Sequence, residues 1–270
     1  MKQRVLLLAA IMASLPAFAQ QFENEAIPDL PLRNIPPLGE PAPPPPGWRV
    51  TLGGGLAYVP RYEGSASDRL RVMTLLDATH GRLFISSTRG IGYNLSHSPD
   101  MEYGVRLAPG HARWQNADPR LNGMGDIGYS FEIGAFLNMR FAPWYISSGF
   151  NTGVHGTHAD LGGGLGFPVS DADRLRFGVG TSWANATYNQ TYFGVSPGQS
   201  MASGDVLTPY SASAGIQDYA LTANWAHNYS RQWFSSAGAS YKWLVGSAAN
   251  SPLTQRHAAL SANFLVGYRF

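Results

Sequence analysis

"LSANFLVGYRF" fills residues 260–270, the last stretch of the chain. Leu260, Ala262, Phe264, Val266, Tyr268 and Phe270 recur at every second position. Ser261, Asn263, Leu265, Gly267 and Arg269 fill the alternate ones. A period of two belongs to a β-strand with two different faces. In a soluble sandwich the apolar face would point at a core. In a transmembrane barrel it would point at lipid, with the small polar face toward the lumen. The remaining sequence separates the two readings.

From Trp48 onward the same pattern returns. One face carries Trp48, Val50, Leu52, Gly54, Leu56 and Tyr58, and a later strand carries Tyr129, Phe131, Ile133, Ala135, Leu137 and Met139. Leu175, Phe177, Val179, Thr181 and Trp183 form another such face, and Trp233 to Trp243 another. These runs last about ten to twelve residues, the length a tilted strand needs to cross a bilayer. Soluble strands are usually half as long. Aromatic residues gather at the run ends, where interfacial girdles form. The opposite faces are glycine-rich and charged, as a wet lumen permits. The expected fold is all-β: a transmembrane antiparallel β-barrel over 48–270.

Twelve strands are expected, near 48–59, 69–79, 82–88, 90–96, 101–110, 128–140, 144–155, 158–168, 174–186, 215–229, 232–244 and 257–270. Ragged alternation near 82–96 leaves ten possible. Short links alternate with long ones at 111–127, 187–214 and 245–256, as periplasmic turns alternate with extracellular loops.

The chain opens MKQRVLLLAAIMASLPAFAQ. Lys2 and Arg4, an apolar run from Val5 to Ala13 and a small-x-small site at Ala17–Ala19 make residues 1–19 an expected signal peptide. No apolar run of 18 residues follows, so no transmembrane helix is expected. Residues 20–47 form an expected periplasmic spacer, with nine prolines between Pro28 and Pro46. There are no cysteines, hence no disulfide framework. Loss of Lys2 and Arg4 from the 19 basic residues leaves 17 against 17 acids, so no nucleic-acid partner is implied.

Catalytic and metal chemistry find little support. His155, His158 and Asp160 in "HGTHAD" read as residues of a short external turn without a role. The glycine runs at 52–58 and 161–167 precede no helix, so they are not phosphate loops. No histidine falls on an outward position beside a plausible serine pair. No cofactor, metal or catalytic residue is assigned. Candidate lumen charges are Arg49, Arg106, Glu132, Arg140, Arg174, Arg176 and Lys242. Two readings remain open for them: an Arg–Glu network that fills and stiffens the lumen, or a narrow pore preferring small anions. The 187–214 loop is too long for a hairpin connection and too aromatic for simple disorder. Tyr192, Phe193 and Pro197 within it are expected in a plug over the mouth, with a surface-contact role as the alternative.

"RYEGSASDRLR" (61–71), "GRLFISSTRGIGYNL" (81–95), "TYFGVSPGQSMASG" (191–204) and "ANSPLTQ" (249–255) together resemble the MipA/OmpV family, the MltA-interacting outer-membrane proteins. The resemblance covers essentially 48–270. It implies a barrel in the outer membrane of a Gram-negative bacterium, embedded in outer-membrane lipid, and a non-enzymatic scaffold for murein hydrolase and synthase partners. Some members look like porins or adhesins. The aromatic ending Val266, Tyr268, Phe270 resembles the signal by which the barrel assembly machinery recognises its clients.

Overall fold

A computed structural model of the chain describes residues 47–270. The expected signal peptide and all but the last residue of the proline-rich spacer lie outside the described residues. The rest is a closed barrel of twelve antiparallel strands, each paired with its sequence neighbours, with the last closing on the first. The strands are β1 (Arg49–Pro60), β2 (Asp68–His80), β3 (Leu83–Ser86), β4 (Gly90–Asn94), β5 (Met101–Pro109), β6 (Phe131–Phe141), β7 (Trp144–Gly153), β8 (Gly156–Pro168), β9 (Asp173–Ala184), β10 (Gly215–Asn228), β11 (Trp233–Leu244) and β12 (Ala258–Arg269). Closure removes the open edges that neither lipid nor water tolerates well. Both strand termini lie at one end, here the turn end; the long connections lie at the other, the loop end.

Outward positions follow the sequence period. Phe131 and Ile133 are 72% and 69% exposed, and Val179 and Phe264 also face out. The closing seam depends on small residues. A Cβ added at Gly55 would lie 2.0 Å from the Phe264 carbonyl oxygen, because β1 and β12 approach closely there. β3 and β4 are shorter than expected, at four and five residues. The wall between β2 and β5 is therefore low. A register shift near Gln217 turns both Gln217 and Asp218 into buried positions on β10.

The lumen is not uniformly polar, contrary to the expected glycine-rich and charged inner face. Ala57, Val59, Met73, Leu75, Phe234 and Leu265 pack into one buried apolar cluster. They come from β1, β2, β11 and β12, so one wall fills its half of the interior. Arg269 caps that cluster, its guanidinium 4.2 Å from the Phe234 ring centroid. Charged side chains line the lumen from β5 to β9, as Arg106, Glu132, Arg140, Asp160 and Arg176, and also from β10 and β11, as Asp218 and Lys242.

Candidate functional site: the capped lumen

Four connections meet over the loop end: 61–67, 110–130, 185–214 and 245–257. The third begins with α1 (Ala186–Phe193) and α2 (Pro197–Ala202), and the fourth holds the short α3 (Gly246–Ala249). The local chemistry that forms α1 and α2 is explicit. Asn185 accepts from the Tyr188 amide at 2.9 Å, and Ser196 and Gln199 form a reciprocal capping box with Pro197 in the first turn. Gly156, at φ +117°, lets α1 approach the β7–β8 hairpin; a Cβ there would lie 2.4 Å from the Tyr188 amide nitrogen.

These connections share hydrophobic cores. Tyr62, Leu121, Met124, Val195, Leu207 and Leu253 form one, with Leu121 and Leu253 fully buried. Phe193, Ala212, Leu244 and Ala248 form a second. Polar contacts tie the segments together. Tyr62 Oη donates to the Leu253 carbonyl at 2.8 Å, Ser251 Oγ to the Phe193 carbonyl at 2.6 Å, and Gln199 Nε2 to the Met124 carbonyl at 2.7 Å. Arg113 donates to the Tyr192 carbonyl at 2.5 Å, and burial pushes its guanidinium pKa down to about 10. Burial likewise raises the Tyr62 phenol. Large apolar side chains buried in this way contribute roughly 1.5–3 kcal/mol each. The cap is thus a folded layer.

Beneath it lies a cavity of about 470 Å³. Tyr192 and Phe193 line its upper end, whereas Pro197 is exposed at the start of α2. Arg106, Glu132, Arg140, Arg176 and Lys242 line the cavity; Arg49 and Arg174 do not, and sit near the turn end of β1 and β9. The charges are partly paired. Lys242 Nζ lies 2.9 Å from Glu63 and 3.6 Å from Asp218. Arg89 holds Asp77 at 2.9 Å, and Arg256 engages Asp68. Arg106 Nε donates to Asn151 at 3.2 Å. Arg140 donates to the Pro99 carbonyl, and Arg176 lies over the Tyr145 ring, 5.6 Å from its centroid.

A polar cluster that sequence reasoning missed lies just under the cap. Only Val154 and His155 form the β7–β8 turn. His158 is not a turn residue: it lies on β8, bonds Glu132 of β6 across the inner face of β7 at 2.9 Å and packs its ring, tilted, against Tyr188, ring centroids 4.8 Å apart. His111 Nδ1 meets Tyr188 Oη at 3.1 Å, and the His111 carbonyl accepts from Tyr192 Oη at 2.7 Å. Glu132 is 2% exposed, and its Oε1 has no hydrogen-bond partner among the described residues. The available sequence signal was parity: His158 and Asp160 share a face with Gly162 and Gly164.

A second correction concerns the outer face. His227 does occupy an outward position near a serine. Its Nδ1 lies 2.8 Å from Asp173, which also accepts from Ser170 at 2.6 Å and from Trp225 at 2.9 Å. Ser170 donates its hydroxyl to the carboxylate and not to the imidazole, so the three residues do not stand in the order of a Ser–His–Asp triad. Among the described residues, no group of three or more His, Asp or Glu is placed to hold a metal ion.

The expected assembly residues lie together at the seam. Tyr268 packs between Trp233 and Phe270, at centroid distances of 5.0 and 4.7 Å. Val266 and Phe270 are exposed on the outer face, and the Phe270 amide donates to the Val50 carbonyl at 2.9 Å.

No curated protein matches the chain. The solved structures similar to it are barrels at low identity. The NanC porin is 6% identical with a TM-score of 0.42, covering 82% of this chain and 100% of its own. An outer membrane channel from Pseudomonas putida F1 is 9% identical with a TM-score of 0.40, over 86% and 100%. The toluene transporter TodX of Pseudomonas putida is 10% identical with a TM-score of 0.38, over 84% and 90%. Residues 52–270 match the family described as MltA-interacting protein MipA. The chain therefore belongs to the MipA family, as a twelve-stranded outer-membrane β-barrel of the Gram-negative envelope.

Proposed function

We propose that this barrel is a non-enzymatic docking protein of the outer membrane, a scaffold for murein-remodelling enzymes, with its lumen closed toward the loop end. One observation carries the reading: the loop end is covered by a layer with its own hydrophobic cores, in which Tyr62, Val195 and Leu253 from three different connections are almost fully buried. A pore that conducts freely has no use for such a layer. The family's description supplies the class of partner, a murein hydrolase such as MltA. On this reading residues 1–19 are removed on export, 20–47 lie in the periplasm, and Tyr268 and Phe270 present the assembly signal to the barrel assembly machinery. Tyr192 and Phe193 belong to the plug.

Planar-bilayer conductance and affinity capture test the reading together. Purified barrel is expected to be silent and to retain a murein hydrolase or synthase from envelope extract. Steady conductance without such capture overturns it. A narrow pore for small anions is the second reading, favoured by the 470 Å³ cavity with Arg106, Arg140 and Arg176 in its wall. Steady anion-preferring steps would establish that alternative. A surface adhesin, the remaining alternative, is supported by no particular contact in the cap.

A further inference from the structure

The barrel wall has a gap at membrane depth. β3 and β4 hold four and five residues, between β2 with thirteen and β5 with nine. The ladder from β2 to β3 runs from the His80–Leu83 pair to the Asp77–Ser86 pair, and that from β4 to β5 stops at Ile91–Leu107. Toward the loop end β2 runs on to Asp68, and among the described residues β1 is its only ladder partner there. The two missing strands leave β2 and β5 about 14 Å apart, three inter-strand spacings. Residues 87–89 form the sill of the gap. A lintel closes it above: Arg61 donates to the Ala117 carbonyl at 3.0 Å, and Ser67 Oγ to Asp118 at 2.8 Å. The sill stands four residues from the turn end of β3, about 13 Å along the strand. Leu70, opposite Tyr58, marks the upper limit. The gap thus lies within the apolar band of a barrel, about 25 Å tall.

Ser87 fixes which way the β2 backbone faces. Its amide donates to the Leu76 carbonyl at 2.8 Å, and its hydroxyl to the Thr74 carbonyl at 3.2 Å. Peptide groups alternate in direction along a strand, so those of Val72 and Leu70 face the gap as well. No hydrogen bond engages them there among the described residues, and the two residues are 74% and 65% exposed. On the far edge Gly110 turns its amide to Ser130, so Pro109 faces the gap, where it has no N–H to offer a further strand. Backbone at this depth is tolerated where it is buried in protein or lines a water-filled space. The lumen cavity supplies that space. Ser87, Thr88 and Arg89 of the sill line it, as do Pro109 and Ala112 of the far edge. Phe84, Ala108 and Phe136 give the cavity an apolar surface beside the gap, and the two rings pack edge to face at 5.6 Å. Asn138, Ser147 and Asn151 line it farther round, on β6 and β7. The way from lipid to lumen therefore passes from apolar to polar, in the order of the two ends of an amphiphile.

We propose that the gap between β2 and β5 is a lateral entrance from the lipid, through which a single-chain amphiphile places its polar head in the lumen and leaves its chain at the opening. The cavity of about 470 Å³ suits a small ligand. The cap covers the loop end and leaves this side open. The entrance stands independently of the scaffold reading.

Photolabelling of the full chain in phosphatidylcholine vesicles tests the entrance, with a fatty acid that carries a diazirine on its chain and with labelled residues mapped by mass spectrometry. Label is expected on the outward Leu70, Val179 and Phe264, as on any lipid-facing surface, and also on the inward Phe84, Ala108 and Phe136. Excess fatty acid without the diazirine is expected to remove the inward label and spare the outward label, a measure that needs no variant. Thr88→Trp, which sets a bulky ring on the sill, is expected to lose most of the inward label while Val179 keeps its own. Heat-modifiable migration on a gel reports whether that variant is folded. Absence of inward label overturns the proposal. So does inward label that excess fatty acid does not displace, or that persists unchanged in folded Thr88→Trp.

Discussion

Acidification is expected to loosen the cap through His111. This residue lies between β5 and the cap, held by Tyr188 Oη at its ring and by Tyr192 Oη at its carbonyl. Burial pushes its pKa down from 6.5 to about 4. The charge of His158 acts the same way, as does Lys242, while Glu132 and Glu63 oppose them. The closed cap therefore disfavours the imidazolium, and an open cap exposes an ordinary histidine. Above pH 6.5 both states hold the ring neutral and closure is at full strength. Between 6.5 and 4 the open state takes up the proton first, so closure weakens as pH falls, and below 4 the loss levels off. A shift of this size is worth up to about 3 kcal/mol, on the order of 100-fold in the closed-to-open ratio. Part of the ring faces the cavity, which makes that figure an upper bound. The measurement is amide exchange protection of α1 in the reconstituted barrel from pH 7 to 4, corrected for intrinsic rates. His111→Gln, which keeps a polar group beside Tyr188 but does not titrate there, should remove most of the dependence. Protection that stays flat in the unaltered protein would refute the reasoning. A full dependence in His111→Gln would move it to another group.

Other outcomes follow from the same structure. Removing Phe270 should lower the yield of heat-modifiable folded barrel, because the residue joins Tyr268 and Val50 at the seam. Arg at Ile133, which is 69% exposed, should cost about 2–4 kcal/mol in vesicle unfolding if it sits at mid-bilayer. Arg at Gly134 avoids lipid but meets Asn151 Oδ1, 2.2 Å from the added Cβ, so its loss should come from crowding. Leu253→Ala should destabilise the cap by about 2–5 kcal/mol, seen as faster proteolysis within 185–214 and 245–257 while the barrel remains folded. Excising 192–204 removes Phe193 and Val195 from the two cap cores, and should raise conductance without preventing barrel formation.

The barrel was legible because its signal repeats. Phe131, Ile133, Val179 and Phe264 fall on outward positions by simple parity, and lipid leaves them exposed. The ragged stretch near 82–96 is ragged for a physical reason: β3 and β4 are too short to show a clear period. The apolar half of the lumen was not legible. Val59, Met73, Phe234 and Leu265 each look like a stray apolar residue on a polar face, and only the pairing of β1 with β2 and β12, and of β12 with β11, brings them together. The cap was half legible. The length and aromatic content of 187–214 pointed to order, and Asn185 and the Ser196–Gln199 box were readable helix starts, yet helices of eight and six residues carry little periodicity. The Glu132–His158 bond joins β6 to β8, and the separation in sequence hides it. The arginines at 140 and 176 were visible as charges, but that both line one cavity follows only from the closed barrel.

The unequal filling of the interior gives the cylinder a stiff bank and a soft one. Packed side chains brace β11, β12, β1 and β2 from within, while the glycine-rich wall of β7 to β9 has little internal bracing. The cap rests on both banks. Asn185 ties α1 to Thr157 on the soft side, and the Leu253 segment is tied to Tyr62 beyond β1 on the stiff side. Any ovalisation of the barrel is therefore expected to act on the cap as a lever that draws its halves apart. Spin labels should report the imbalance, with broader distance distributions across β7–β9 than across β11–β2; equal widths would argue against it.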